Sequence, residues 1–174
     1  MSFVVGAAAD IFPADFARSV DAELWKRYPA PKESPAESDD EAWRSDVVEH
    51  DGWKQLQQLA TSMLGSAHPS QLTGVDAYQM VWVPAALPHV EHVAIPNAAD
   101  PLQVGSLPAL VEELRVFAGA ASLPTDDVEL MELAAHYLED DLAFDKDLEI
   151  QTYVQLMLAA KQASARGQAL WISS

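Results

Sequence analysis

The chain has 174 residues, of which 49% are hydrophobic, and 27 acidic side chains against 10 basic ones give it a formal net charge of −17 at pH 7. This length and composition are typical of one folded unit, so we expect a single globular domain over residues 1–174. So negative a surface repels phosphate backbones and anionic lipid headgroups, which argues against nucleic acid and membranes as partners. It favours encounter with a basic protein.

The chain contains no cysteine, which excludes disulfides, thiolate metal sites and cysteine nucleophiles. No apolar run is long enough to cross a membrane, and residues 1–10 lack the basic start of a secretory signal. We therefore expect a cytoplasmic protein. No phosphate-binding loop, dinucleotide fingerprint or serine-hydrolase elbow is present, so no cofactor is implied and a non-catalytic function is favoured.

The first third of the chain is predicted to hold a strand, a helix and an acidic loop. Residues 2–5 are predicted as the strand, and residues 13–28 as a helix whose apolar side chains recur every four positions. Residues 29–41 combine prolines, serines and acids with no large apolar side chain, so we expect an exposed loop there.

A second helix is predicted to end at Leu64, with Asp51 as its N-cap because a carboxylate accepts the free amides of a first turn. The segment before it, residues 43–48, fits either a short helix or an extended chain. Residues 77–83 are rich in aromatic and β-branched side chains and are predicted as a strand, and residues 90–95 as another. Their closeness favours a hairpin-like pair, although flanking prolines disfavour regular pairing at its ends.

The C-terminal half is predicted to be mostly helical. Ser106 is the expected N-cap of a helix over residues 107–121, and Thr125 that of a helix reaching about residue 140. A third helix, over residues 148–166, is apolar on most sides and is predicted to be the most buried. With a closing strand at residues 169–172, the pattern predicts an α+β fold: a small antiparallel or mixed sheet covered by about five helices.

One candidate metal or catalytic site is the group His89, Glu91 and His92. In an extended chain, His89 and Glu91 would face one way and His92 the other, and catalytic zinc wants about three protein ligands. These residues are therefore weak candidates, and solvated side chains at a strand edge are the favoured interpretation.

A second candidate is the stripe of Glu132, His136 and Asp140 along one predicted helix, where neighbouring carboxylates would favour a protonated imidazole. The stripe on the opposite side of that helix is predicted to fill the core, and it comprises Val128, Met131, Ala135 and Leu138. The acidic stripe is therefore predicted to face solvent. The acidic run at residues 139–147 has no glycine or glutamate in the positions that a calcium loop requires.

The acids are concentrated in two segments, because residues 31–51 and 126–147 together hold 17 of the 27. Trp43 borders the first segment, and an exposed tryptophan ringed by acids is typical of an interface hot spot for a basic partner. Partial burial of Trp43 against a neighbouring helix is the alternative. The predicted interaction face comprises Asp39, Asp40, Glu41, Trp43, Glu132, His136, Glu139, Asp140 and Asp141.

Three functions follow from these observations. The leading hypothesis is a non-catalytic binding protein that neutralises or sequesters a basic protein, as immunity and antitoxin proteins do. The second is a structural or adaptor domain, with a homo-oligomer as its natural form, whose acidity serves only solubility. The third is a metal-dependent or acid–base enzyme using His89, His92 or His136 with nearby carboxylates. Whether the two acidic segments meet decides between the first and the second.

Overall fold

The computed structural model describes residues 1–30, 42–65, 70–139 and 147–173, and within these ranges it contains six strands and five α-helices. The strands are β1 (Ser2–Gly6), β2 (Trp43–Arg44), β3 (Met80–Val83), β4 (Glu91–Val93), β5 (Leu102–Ser106) and β6 (Ala169–Ser173). The helices are α1 (Ala14–Arg27), α2 (His50–Leu64), α3 (Leu107–Ala121), α4 (Asp127–Glu139) and α5 (Leu148–Arg166). The predicted α+β class and the five helices are confirmed.

The strands form one mixed sheet in the order β2-β1-β6-β3-β5-β4. The last strand, β6, lies between β1 and β3 and is antiparallel to both, while β3 and β5 are parallel. The sheet therefore places β2 at one edge and β4 at the other.

The predicted pairing of residues 77–83 with residues 90–95 is wrong. β5, which the sequence analysis did not predict, lies between β3 and β4 and pairs with both. Residues 77–79 form a turn of 3-10 helix, so β3 begins only at Met80. The other predicted strand is also shorter than expected, since β4 spans Glu91–Val93. β5 escaped prediction because its polar Gln103 and its Gly105 weaken the strand pattern.

Of the three predicted N-cap residues, Ser106 is confirmed and the other two are wrong. The Ser106 hydroxyl accepts a hydrogen bond from the Ala109 amide at 3.2 Å, as expected of an N-cap. Glu49, not Asp51, occupies the N-cap position of α2. At α4, the Asp126 carboxylate accepts from the Val128 amide at 2.9 Å, so Asp126 takes the role predicted for Thr125. The Asp126 carboxylate, one position after Thr125, accepts from the free amides of the first turn of α4.

Helices cover both faces of the sheet. α1 packs on one face, where its buried side chains join Val81, Val83 and Trp171. On the other face, α2, α3 and α5 bury Phe3 and Trp82 in the larger core. α5 contributes nine buried residues, which confirms it as the most buried helix. None of the described helices is long and apolar enough to cross a membrane.

α4 is rotated relative to its predicted orientation. Its fully buried side chain is Leu130, whereas Val128 and Met131, both predicted to fill the core, are each 64% exposed. Ala135 is also exposed, and the side chain of Leu138 lies outside the described part. The helix has two apolar stripes, and the one with the larger side chains faces α5; it comprises Leu130, Leu133, Ala134 and Tyr137.

Candidate functional site

A groove runs between the segment 43–48 and α4, with α5 as its floor. Its larger pocket has a volume of about 300 Å³ and is lined by Trp43, Arg44, Ser45, Asp46, Met131, Ala134, Ala135, Gln155 and Leu158. A smaller pocket of about 20 Å³ is lined by Asp46, Val47, Val48, Ala134, Tyr137, Gln151, Val154 and Gln155. Since both share Asp46, Ala134 and Gln155, they form one continuous depression, here called the Trp43 groove.

The first wall of the groove is fastened to the sheet. Trp43 pairs with Val5 in the β1–β2 ladder, which places its ring on the same side of the sheet as the larger core. The Ser45 amide donates to the Phe3 carbonyl at 2.9 Å, and the Val48 amide donates to the Met1 carbonyl at 2.8 Å. Backbone hydrogen bonds thus hold this wall beside β1 as far as the start of α2, so Trp43 is presented from a rigid element.

The middle of the groove is set by Asp46 and Gln155. The Gln155 side chain accepts from the Asp46 backbone amide at 3.1 Å and donates to the Asp46 carboxylate at 3.0 Å. Gln155 is 7% exposed, whereas Asp46 is exposed. A buried amide therefore holds a solvent-facing carboxylate at the point where the two pockets join.

The second wall presents apolar side chains to solvent. Met131 lines the larger pocket, and Val128 lies one helical turn before it on the same face of α4. Val47, on the opposite wall, is 70% exposed. These are three of the six large hydrophobic side chains that are exposed in the described part of the chain. Val47 and Met131 line the groove and Val128 adjoins Met131 on α4, a grouping that is typical of an interaction surface.

The charge around the groove is negative. Glu129 and Glu132 are exposed on α4, and no lysine or arginine occurs in that helix. At the other end of the groove, burial and then the carboxylates of Asp147 and Glu149 raise the pKa of Tyr137.

Cations also lie near these acids. The N-terminal ammonium of Met1 donates to the carbonyl of Val48, a residue of the smaller pocket, at 2.9 Å. Arg44 lines the larger pocket, but its guanidinium donates to the Asp10 carbonyl at 2.7 Å. Lys161, from α5, pairs with Asp127 at the start of α4. A hydrogen bond to a carbonyl leaves the charges of Met1 and Arg44 in place, so both carboxylates and cations contribute to the field at the groove.

The structure brings together part of the predicted interaction face. Trp43 lies across the groove from α4, where Glu132 and His136 are exposed beside Met131 and Ala135. Residues of both acid-rich segments thus line one groove. Asp39, Asp40, Glu41, Asp140 and Asp141 lie outside the described residues, as does the side chain of Glu139.

Two of the three histidines proposed for a metal or catalytic site, His89 and His92, lie elsewhere. His92 and Glu91 belong to β4, at the opposite edge of the sheet from β2, and His89 is exposed just before that strand. Glu91 accepts a hydrogen bond from the Tyr28 hydroxyl at 2.6 Å, so its carboxylate ties α1 to the edge strand. The described ranges contain no group of three or more histidine, aspartate or glutamate side chains placed to hold a metal ion.

The sequence analysis missed Asp46, Val47, Met131 and Gln155 as site residues. A signal for Met131 was present, because α4 carries two apolar stripes and only one can face the core. No comparable signal marked Gln155, which stands in a helix otherwise rich in apolar side chains.

A second open groove lies between α2 and α3, with a volume of about 630 Å³. Met63 and Val116 are exposed along it. Its polar side includes Glu113, whose carboxylate accepts from the Gln71 amide at 2.6 Å. This α2–α3 groove is thus a second apolar surface, separate in its lining residues from the Trp43 groove.

Comparison with protein-family models, with curated proteins and with solved structures finds no match to this chain. The geometry and chemistry of its own residues therefore carry the functional argument.

Proposed function

We propose that this chain is a non-catalytic binding protein that captures and neutralises a basic protein partner, in the manner of an immunity or antitoxin protein. The single observation behind the proposal is the Trp43 groove, where residues 43–48 of the first acid-rich segment and α4 of the second adjoin around exposed apolar side chains. An acidic coat that served only solubility would have no reason to adjoin Val47 and Met131.

Acidic and apolar side chains have different roles in the proposed binding. Carboxylates such as Asp46 and Glu132 steer a cationic surface toward the groove and raise the association rate. Apolar contact with Trp43 and Met131 then excludes water and slows dissociation, as buried aromatic and aliphatic anchors do in other interfaces. A partner with an apolar patch surrounded by lysine and arginine fits both requirements.

The test begins with capture at low salt on immobilised protein from a lysate of the source cells, followed by identification of the retained basic proteins. Each is then purified and titrated against the wild type and a Met131→Asp variant at several salt concentrations. We expect affinity to fall steeply as salt rises, since exposed charges are screened within about 10 Å at 0.1 M ionic strength. We expect Met131→Asp to weaken binding at least about tenfold.

Val116→Asp is the matched control, because it places the same charge on another exposed apolar position, in the α2–α3 groove. It should leave the affinity unchanged. Charge reversal at Asp39, Asp40, Asp140 and Asp141 should weaken capture further. The proposal fails if no basic protein is retained at low salt, or if both aspartate variants bind as the wild type does.

A self-associating adaptor is the second candidate, and the α2–α3 groove is the observation that favours it. A second copy of the chain would cover Met63 and Val116 there. Sedimentation equilibrium of the wild type and Val116→Asp decides this case: a dimer that the variant disrupts supports the adaptor, and a wild-type monomer excludes it.

A further inference from the structure

We propose that the larger pocket of the Trp43 groove receives one long basic side chain, arginine or lysine, from the partner. The inference rests on the proposed function for its biological setting, but the pocket is testable without any partner. Its volume of about 300 Å³ is at the lower limit of ligand sites, which suits a single side chain better than a cofactor.

The walls of the pocket match the stem of such a side chain. Trp43 offers an aromatic ring, and Met131, Ala135 and Leu158 offer aliphatic surface. Lysine and arginine bury their methylene groups along apolar surface while their charged heads remain near water. An indole is also the best aromatic partner for a cation, and a guanidinium can stack on it.

The polar end of the pocket supplies the complementary charge. Asp46 lines it, and among the described residues no lysine or arginine forms an ion pair with that carboxylate. Gln155 donates to Oδ2 of Asp46, so Oδ1 is the oxygen that we expect an incoming cation to contact. Arg44 lines the same pocket and keeps its charge, but its guanidinium donates to the Asp10 carbonyl and does not pair with Asp46.

Gln155 gives the strongest reason to regard this carboxylate as positioned. A glutamine amide is costly to bury unless its hydrogen bonds are made. At 7% exposure, Gln155 uses both ends of its amide on Asp46, one on the backbone and one on the side chain. The pair fixes the direction of the carboxylate before any ligand arrives, which lowers the entropic cost of binding.

The probes are capped glycine-X-glycine tripeptides in which X is arginine, lysine or citrulline. Citrulline has nearly the shape of arginine but no charge. Binding is followed by NMR through the backbone amides and the indole N–H of Trp43. We expect arginine and lysine peptides to shift the signals of Trp43, Asp46 and Met131, and the citrulline peptide to bind about tenfold more weakly.

Asp46→Asn and Asp100→Asn form the matched pair of variants, since each replaces one carboxylate by an amide. The new amide at position 46 keeps an oxygen that can accept from Gln155, so the contact between the two side chains is retained. Asp100 is exposed between β4 and β5 at the far side of the sheet. Asp46→Asn should reduce arginine binding about tenfold and Asp100→Asn should not change it. Dispersed amide spectra verify the fold of each variant.

Equal shifts with citrulline and arginine in the wild type would overturn the pocket, since the charge would then play no part. NMR shifts that the arginine peptide causes in all acidic regions, and not mainly around Trp43, would also overturn the pocket. The proposed function fails separately: peptides that bind at Trp43, with no basic protein captured, would retain the pocket and remove the function. Capture of a basic partner, with no peptide binding at Trp43, would support the proposed function and overturn the pocket.

Discussion

Gln155 and Asp46 are joined by two hydrogen bonds, one to the backbone amide of Asp46 and one to its carboxylate, across 109 positions of sequence. One residue is buried in α5 and the other is exposed at the wall of the Trp43 groove. The contact therefore links the core of the fold to the surface proposed for binding, and changes on either side of it should be measurable.

Gln155→Leu should lower the free energy of unfolding by about 1–3 kcal/mol, because the Asp46 amide loses its partner in a partly buried position. Urea unfolding followed by circular dichroism measures the change. Gln162→Leu, on an exposed position of the same helix, is the control and should stay within about 0.5 kcal/mol of the wild type. Equal stability of both variants would contradict a structural role for the Gln155 contact.

The orientation of α4 is tested by two adjacent alanine substitutions. Leu130 is fully buried, so Leu130→Ala should cost about 2–5 kcal/mol of unfolding free energy. Met131 is 64% exposed, and Met131→Ala should change stability by no more than about 0.5 kcal/mol. Leucine, methionine and alanine have similar helix propensities, which leaves burial as the difference between the variants. A larger loss from Met131→Ala would show that α4 is rotated the other way.

Gly105 in β5 is expected to tolerate no side chain. A Cβ there would meet the Gln71 Oε1 at 2.6 Å and the Trp82 Cδ1 at 2.7 Å, and the methyl end of Met80 closer still. Gly105→Ala should therefore cost at least about 1–3 kcal/mol through overpacking, measured by thermal or urea unfolding.

Gly119→Ala is the contrasting control, because nothing lies within 4 Å of a Cβ at that helical position. It should stabilise α3 by about 0.5–1 kcal/mol, since alanine loses less backbone entropy than glycine on folding. If both alanine variants were equally stable, the close packing of β5 against Gln71 and Trp82 would be refuted.

Stability should fall at alkaline pH through the tyrosines whose pKa is raised, and Tyr28 and Tyr153 are the two used for the test. Burial raises the pKa of Tyr153 well above its ordinary value of about 10, and burial together with the Glu91 carboxylate does the same for Tyr28. Below about pH 10 the two tyrosines are protonated in both the folded and the unfolded chain, so their full contribution to stability is present. Above it the unfolded chain ionises while the native chain keeps its protons, so each tyrosine removes about 1.4 kcal/mol per pH unit.

Unfolding by urea between pH 8 and about pH 11 measures this slope for the wild type and Tyr153→Phe. The variant should lose stability at pH 8, where the Pro124 carbonyl loses its partner, but should show a flatter alkaline slope. Val154→Ala, also destabilised but with both tyrosines in place, should keep the wild-type slope. Identical slopes for all three proteins would contradict the role of Tyr153.

Much of the architecture could be predicted from local pattern. The stripes of α1 and α3 and the uniform apolarity of α5 follow from 3.6-residue periodicity, and the Ser106 cap follows from side-chain chemistry. β2 and β5 could not be predicted in this way, since β2 has only two residues and β5 contains Gln103 and Gly105. Their strand conformation depends on neighbours distant in sequence, β1 for the first, and β3 and β4 for the second.

The sequence by itself determined the acidity of this protein, its α+β class, its five helices and the two acid-rich segments. Composition and periodicity are local properties, and they need no partner elsewhere in the chain. The tertiary structure alone decided that residues 43–48 lie beside α4, that Met131 faces solvent and that Gln155 holds Asp46. Each depends on which surfaces pack together, and a helix with two apolar stripes chooses its inner face only when a neighbour buries the larger side chains.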